Sequence, residues 1–349
     1  MSQTHVERVL SRYAEVIHGD IRTLEKKPRY KSYAVSNLRG GVGKSTLTFN
    51  LAYELSRKYS LLLADMCPQG NLTESILRRG ISDPVTVAKA LLPKLLGPAF
   101  GDELSDASYQ VSTYCKDFEQ GKSCFLIPGD PQMFAFPSTL YQQLQVGLSR
   151  SDPKAVKKLL WSLKEVMEKE CEDKHCTTVL MDTSPFYAGG THLAWCAADA
   201  VIIPVRVDEH SIDSLGLTLD MLTNSTKDFS TWNARAGNLA SPKVAAVVMT
   251  MAGAKSNTAS TPGRASQMYI ERAITTVEKY HALFEHDHIS DAIVVIDDFL
   301  SSGQISGALS KPISKLEIGK FHPVQGKRLQ VNQSVTRYQK ELAYLSSVI

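Results

Sequence analysis

Apolar residues near the start of the chain recur at helical spacing. Val6, Val9, Leu10, Tyr13, Val16, Ile17 and Ile21 follow one another at intervals of three and four, which predicts an amphipathic helix over residues 4–26 that stops at Lys27-Pro28. The stripe is a packing face, for the chain's own core or for a second subunit. The pattern then changes. Tyr33–Ser36 is a short apolar run. A glycine-rich segment follows, and then Leu47, Leu51 and Leu55 line one side of a predicted helix from about Gly43 to Lys58. Ser60–Asp65 is almost continuously apolar, as expected of a strand buried on both faces. Cys124–Ile127, Thr178–Asp182, Ala200–Val205, Val244–Thr250 and Ala292–Ile296 read the same way. Helical stretches separate these runs. Asp152–Glu170 is one, opening on Ser151-Asp152-Pro153. Strands alternating with helices predict an α/β fold, a doubly wound, mostly parallel sheet with helices on both faces. It occupies residues 31–349, with residues 1–30 as an N-terminal helical extension. Residues 81–123 are less regular, and Ser256–Gly263 is a loop of small polar residues.

Composition adds little until it is localised. With 349 residues, 43% of them hydrophobic, the chain can bury one large core. The net charge of +3 implies no nucleic-acid partner by itself. From Lys311 to the end, however, seven basic residues (Lys311, Lys315, Lys320, Lys327, Arg328, Arg337, Lys340) face two acidic ones, Glu317 and Glu341. That +5 segment on a near-neutral body suggests a local anionic partner or a solvated face. The six cysteines form no CxxC pair. Cys171, His175, Cys176, His286 and His288 match no common zinc spacing. The polar start and the lack of a long apolar run predict a cytoplasmic protein with reduced thiols. Val331, Val335, Tyr338, Leu342 and Leu345 give the last helix an amphipathic face, read as core or dimer packing rather than a membrane anchor.

The candidate chemistry lies in the segment Arg39-Gly40-Gly41-Val42-Gly43-Lys44-Ser45-Thr46. It follows a strand and opens a helix, the setting a phosphate loop needs. Its glycines let backbone N–H groups face phosphate oxygens, and the helix N-terminus adds a favourable field for anions. Lys44 would reach the terminal phosphates and the Ser45 hydroxyl would coordinate Mg²⁺. Two further acids end strands. Asp65, in Asp65-Met66-Cys67-Pro68-Gln69-Gly70-Asn71, is placed to face the metal and phosphates. Asp182, in Met181-Asp182-Thr183-Ser184-Pro185, is placed to hold Mg²⁺ through water.

The strict GxxxxGK[ST] pattern fails, because its first glycine falls at Leu38. A basic residue followed by GGxGK[ST] instead resembles the deviant Walker A box of the ParA/MinD family of P-loop ATPases. Asn37, the Asp65–Asn71 segment and the Asp182–Pro185 segment are similar to further boxes of its ParA branch. So is Ala197–Val205, with its strand closing on Pro204–Val205. The resemblance covers residues 33–71 and 177–216 well, and 243–320 loosely. It implies ATP and Mg²⁺ as ligands, held by Gly40, Gly41, Val42, Gly43, Lys44, Ser45 and Thr46. Ser45, Asp65 and Asp182 would serve the metal. Pro204–Asp208 and the loop after Thr250 are the candidates for contact with adenine. The family's basic residue is normally lysine and touches the partner's nucleotide across a sandwich dimer; here it is Arg39. Cys67 stands where the family has an aspartate that positions the attacking water, and a thiol replaces it poorly.

The resemblance thus implies an ATPase that dimerises on ATP and binds DNA non-specifically. It would serve plasmid or chromosome partition with a ParB-like partner, in the cytoplasm at the nucleoid. Two alternatives stay open. One is a positioning ATPase for another cargo, such as a protein organelle or membrane complex. The other is a nucleotide-gated switch that hardly hydrolyses ATP.

Overall fold

The computed structural model describes residues 4–19, 29–78, 80–101, 106–253 and 261–349. Eight strands form one sheet: β1 (Ser32–Val35), β2 (Leu61–Asp65), β3 (Tyr109–Gln110), β4 (Cys124–Ile127), β5 (Thr178–Asp182), β6 (Ala200–Arg206), β7 (Lys243–Thr250) and β8 (Ile293–Val295). Their order is β3-β4-β2-β5-β1-β6-β7-β8. Every pairing is parallel except β3 with β4. The predicted sheet is therefore present, and each expected strand lies within two residues of its predicted bounds.

Alternation along the strands builds a core on each face. Ala34, Leu62, Ala64, Val201, Ile203 and Val205 belong to one apolar cluster. Tyr33, Val35, Leu61, Leu63, Ala200 and Ile202 belong to the other. Both sets are almost fully buried, which is why these strands read as unbroken apolar runs rather than alternating ones.

Two segments depart from the sequence reading. The stretch predicted as one helix over Asp152–Glu170 is two, Pro153–Leu160 and Ser162–Lys174. They meet at Trp161, whose ψ of 1° turns the axis, so that Leu160 and Leu163 are both fully buried. The irregular region 81–123 supplies the helix Val87–Leu96 and the antiparallel edge strand β3. A second, two-stranded sheet outside the main one was not anticipated. It pairs β9 (Phe321–Val324) with β10 (Lys327–Gln330).

The N-terminal helix, His5–His18, starts on a reciprocal cap. Thr4 N–H donates to Glu7 Oε2 (2.8 Å) and Glu7 N–H to Thr4 Oγ1 (3.2 Å). The remainder of the predicted helix, residues 20–26, and its Lys27-Pro28 stop lie outside the described residues, as do residues 256–260 of the predicted loop. Of the two readings of the apolar stripe, the structure takes the first. Val9 and Tyr13 are buried in the same cluster as one face of the sheet, and Val16 is buried as well. Arg12 donates to Asp291 Oδ1 (2.9 Å) and to the carbonyls of Ser290 and Ile293 (both 2.6 Å). The C-terminal helix, Val335–Val348, is also core, with Val335, Tyr338, Leu342 and Leu345 at or below 1% exposure. The two terminal helices meet at a buried polar contact. Tyr13 O–H donates to Glu341 Oε1 (2.7 Å), and Glu341 Oε2 accepts from the N–H of Asp297 (3.0 Å). Burial pushes the Glu341 carboxyl up to about 8.

Tyr13→Phe removes one donor from a fully buried carboxyl group. Leaving such a group short of a partner costs about 1–3 kcal/mol. The variant should lose that much stability in urea unfolding; an unchanged midpoint would show that the contact holds nothing together.

Candidate nucleotide site

The C-terminal ends of β1, β2 and β5 open into one crevice. β5 lies between β1 and β2, so the chain leaving β1 crosses over a neighbour before it re-enters the sheet, and ligands bind where such crossovers diverge. The loop after β1 turns back through Gly41 (φ 74°) and Gly43 (φ 85°), both in the left-handed region that glycine enters without strain. Gly43 caps the helix Lys44–Ser56 with no side-chain hydrogen bond. The first-turn N–H groups are thus left to face the crevice, a ready anion site. The cavity there measures about 660 Å³. Gly40, Gly41, Gly43, Lys44, Ser45 and Thr46 line one side of it, and Cys67, Gln69, Thr183 and Pro185 contribute as well.

Lys44 is 8% exposed. Its Nζ donates to the carbonyls of Asn37 (3.1 Å) and Arg39 (2.7 Å), and burial draws its pKa down to about 8. An anion beside it would favour the charged form. Asp182, fully buried, accepts from Ser45 Oγ (2.5 Å) and Thr48 Oγ1 (3.1 Å). Burial, with Asp65 as its register partner across β2 and β5, pushes the Asp182 carboxyl up to about 7. A hydroxyl and a carboxylate held together beside a row of N–H groups are the donor set of a hard divalent cation with phosphate.

Asp65 departs from the expectation that it faces the metal. Its Oδ2 accepts from the N–H and hydroxyl of Thr73 (both 2.8 Å), and its Oδ1 from the N–H of Cys67 (3.0 Å). Asp65 braces the turn and the short helix after β2, and it does not line the cavity. Cys67 does line it, at 4% exposure. Burial pushes its thiol up to about 11, so it is neutral at physiological pH and no base. Pro204 lines neither this cavity nor the one beside it. Its carbonyl accepts from Asn37 Nδ2 (2.7 Å), while Asn37 Oδ1 accepts from Ser214 Oγ (2.6 Å). Asn37 thus ties β1 to β6 and the helix Glu209–Thr223. Val42 faces the neighbouring cavity, and its carbonyl accepts from Thr250 Oγ1 (3.1 Å).

Arg39 is only 30% exposed. Its Nη1 donates to Asp208 Oδ1 (2.6 Å), and Asp208 also caps the helix Glu209–Thr223 through the N–H of Ser211 (2.9 Å).

Sequence reasoning missed two groups. Asn71, Glu74, Ser75 and Arg78 all line the cavity. Only Asn71 was singled out, although the spacing 71, 74, 75, 78 marks a single helical face. Arg78 Nε donates to Ser310 Oγ (2.6 Å), which brings the end of the helix Leu300–Leu309 to this cavity. The second cavity, about 420 Å³, joins Gly43, Thr46 and Leu47 to Thr250, Met251 and Asp297–Leu300. It is apolar enough to take a flat ring. The loop after Thr250 was expected there; Phe299 and Leu300 were not.

These features agree with comparisons to known proteins. A family model described as an AAA domain matches residues 30–232, more than half of the chain, and the chain belongs to that family. The resemblance to ParA/MinD-type P-loop ATPases stands with it. The McdA protein of Cyanothece, solved as an ATP complex, superposes with a TM-score of 0.58 at 16% identity, over 91% of this chain and 96% of that one. A putative plasmid partition protein of Borrelia burgdorferi, solved with AMPPNP, gives 0.53 at 17% identity, over 91% and 99%. Identities this low establish a shared fold. A curated Pseudomonas putida protein, described as uncharacterized, is 26% identical over 191 residues, 54% of this chain and 61% of that protein. The chain thus spans about six-tenths of the length of the curated relative it matches.

The raised pKa of Asp182 fixes the sign of a pH effect. A carboxyl whose folded value lies above its unfolded one carries no penalty below the unfolded value near 3.8. The penalty grows as pH rises and is complete above about 7. Asp182→Asn should therefore stabilise the nucleotide-free protein by roughly 1–3 kcal/mol at pH 8 and by little at pH 4. Denaturant unfolding at the two pH values reads this directly; an equal effect at both would refute the assignment.

Proposed function

We propose that this AAA-domain family member is a ParA-like ATPase in which ATP and Mg²⁺ join two copies of the chain into a sandwich dimer. In this reading the dimer binds DNA non-specifically and serves plasmid or chromosome partition with a ParB-like partner that promotes hydrolysis. The observation that carries it is Arg39 at the head of the phosphate loop, beside Lys44 but turned away from it onto Asp208. A basic side chain there is not needed to hold its own nucleotide, since Lys44 and the loop N–H groups already face that cavity. A guanidinium presents a flat fork to phosphate oxygens and suits a contact with a second copy's nucleotide. Ser45 and, through water, Asp182 would hold Mg²⁺, which would supply neutralisation of phosphate charge. Gly40, Gly41, Gly43 and Thr46 would supply backbone N–H groups, and Lys44 would pair with the terminal phosphates. Asp65 would keep the turn that carries Cys67 in place. The 420 Å³ cavity between Thr46 and Phe299 would take the base.

Cys67 favours slow hydrolysis. A thiol held near 11 neither orients water as a carboxylate does nor accepts its proton. The protein would then remain in its ATP state until a partner acts, as a nucleotide-gated switch. The cargo could equally be a protein organelle or a membrane complex, with the same chemistry. Among the described residues no helix is long and apolar enough to cross a membrane.

Light scattering with and without Mg²⁺-ATP tests the dimer. The wild type should double in mass on ATP, and Arg39→Ala should stay monomeric while binding nucleotide within a few-fold of wild type. A wild type whose mass ignores ATP overturns the reading. For hydrolysis, Cys67→Asp should raise single-turnover rates by about tenfold or more. An unchanged rate in a variant that still binds ATP would show that the carboxylate role does not carry over.

A further inference from the structure

The +5 charge of the C-terminal segment is not spread over one surface, because the fold uses much of it internally. Arg337 is buried in an ion pair with Asp297. Lys340 Nζ donates to the carbonyl of Ile17 (2.6 Å) at the end of the N-terminal helix. Lys315 Nζ donates to Gln120 Oε1 (2.7 Å), and Lys311 lies 3.8 Å from Asp117. The three basic residues left, Lys320, Lys327 and Arg328, are all exposed and gather on the β9–β10 hairpin. Lys320 pairs at the surface with Glu317 (2.7 Å). From Ile318 to Lys340 the sequence contains no Asp or Glu.

The hairpin is built as a platform. Its two-residue turn, Gln325-Gly326, has φ of 48° and 78°, the left-handed pair of a tight hairpin that matches strand twist. Cross-strand register pairs Arg328 with Pro323 and Gln330 with Phe321. Residues opposite each other share a face, and these four are all exposed. The other face turns Val324 and Leu329 toward the helix Leu300–Leu309, across a groove that Lys327 also lines. On the outer face the Arg328 guanidinium lies 5.1 Å from the Phe321 ring centroid, and Phe321 is 52% exposed. A large aromatic ring left in solvent beneath a planar cation, with further cations and no carboxylate along the ribbon, is complementary to a polyanion whose phosphate rows flank apolar sugars and groove walls. Duplex DNA has both properties. An anionic lipid surface calls for more apolar bulk than Ile318 and Phe321 supply.

We propose that the β9–β10 hairpin is the element through which this chain contacts DNA, Arg328 on the outer face and Lys327 at the exposed turn end of the ribbon pairing with backbone phosphates, and Phe321 packing against the groove wall of the duplex. The inference rests on the DNA-binding reading above and narrows it from a basic tail to one ribbon.

The test uses full-length protein with Mg²⁺-ATP and random-sequence duplex DNA across a salt series. Lys327→Ala/Arg328→Ala should weaken binding at least tenfold and reduce the slope of log affinity against log salt by about two, one per lost phosphate contact. Its nucleotide affinity and ATP-dependent mass should match wild type. Lys315→Ala removes a tail charge away from the hairpin and should leave the slope unchanged. A wild type that binds DNA while the double variant binds equally well overturns the hairpin and leaves the DNA reading standing. A wild type that shifts no DNA at low salt ends both. Vesicles containing phosphatidylserine form the last arm. If the hairpin variant loses vesicle binding but keeps DNA binding, the ribbon's partner is a membrane and the proposal is wrong.

Discussion

Two aspartates lie side by side, fully buried, at the C-terminal ends of β2 and β5, and the arrangement of the site follows from keeping them there. Adjacent carboxyl groups out of water resist ionising together. The fold answers each separately. Asp65 is satisfied by three hydrogen bonds from its own turn, through Thr73 and Cys67. Asp182 receives two hydroxyl groups from the phosphate-loop helix, Ser45 and Thr48. The pair is thus asymmetric. Burial raises the proton affinity of both; Asp65 is closed off as a structural brace, while Asp182 meets the Ser45 hydroxyl, where a divalent cation would displace the proton. Lys44 contributes the opposite charge nearby, its pKa drawn down by burial. A site of this kind is held away from its own stability optimum, and a ligand bearing both phosphate and metal would relieve it.

The same logic explains where Arg39 goes. A guanidinium cannot discharge, so a loop that carries one next to a buried lysine must give it a separate carboxylate. Asp208 serves, and it is held in place by capping the helix Glu209–Thr223. The strand end that bears Asn37 is tied to that helix as well, through Ser214. Loop, helix and β6 therefore form one hydrogen-bonded unit. A change in the partner of Arg39 bears directly on the first turn of the helix Glu209–Thr223.

Much of this was legible in the sequence. Continuous apolar runs marked the buried strands because both faces of the sheet are covered. The Arg39–Thr46 segment was legible because the left-handed turns at Gly41 and Gly43 admit few other residues. What escaped were features that local pattern does not encode. Trp161 breaks a helix whose apolar period continues across it. β3 is two residues long and is defined only by its partner. Asp65 has the right residue type at the right strand end, but its hydrogen bonds depend on Thr73, eight positions on. The charge of the tail was counted correctly, but the sequence did not locate it. A segment's net charge describes its surface only if none of it is used inside, and here Arg337 and Lys340 hold the two terminal helices to the body.

That last point extends to the site as a whole. The segment that matches the AAA-domain family, residues 30–232, contains the phosphate loop, Asp65 and Asp182. The wall of the second cavity comes from beyond it, from Thr250 and Met251 and from Asp297 to Gln304. Asp297 in turn is pinned by Arg337 and, through its N–H, by Glu341, which Tyr13 reaches from the N-terminal helix. The residues proposed to hold phosphate and metal thus lie in the shared segment. The shape of the wall beside it depends on residues at both ends of the chain. Packing transmits strain because a dense interior has few ways to relax. A displacement of the N-terminal helix would therefore reach the wall through the side chains of Tyr13 and Glu341 and the backbone of Asp297, without touching the phosphate loop. What distinguishes this chain from other proteins of the same fold is accordingly to be sought outside the motifs that identify it.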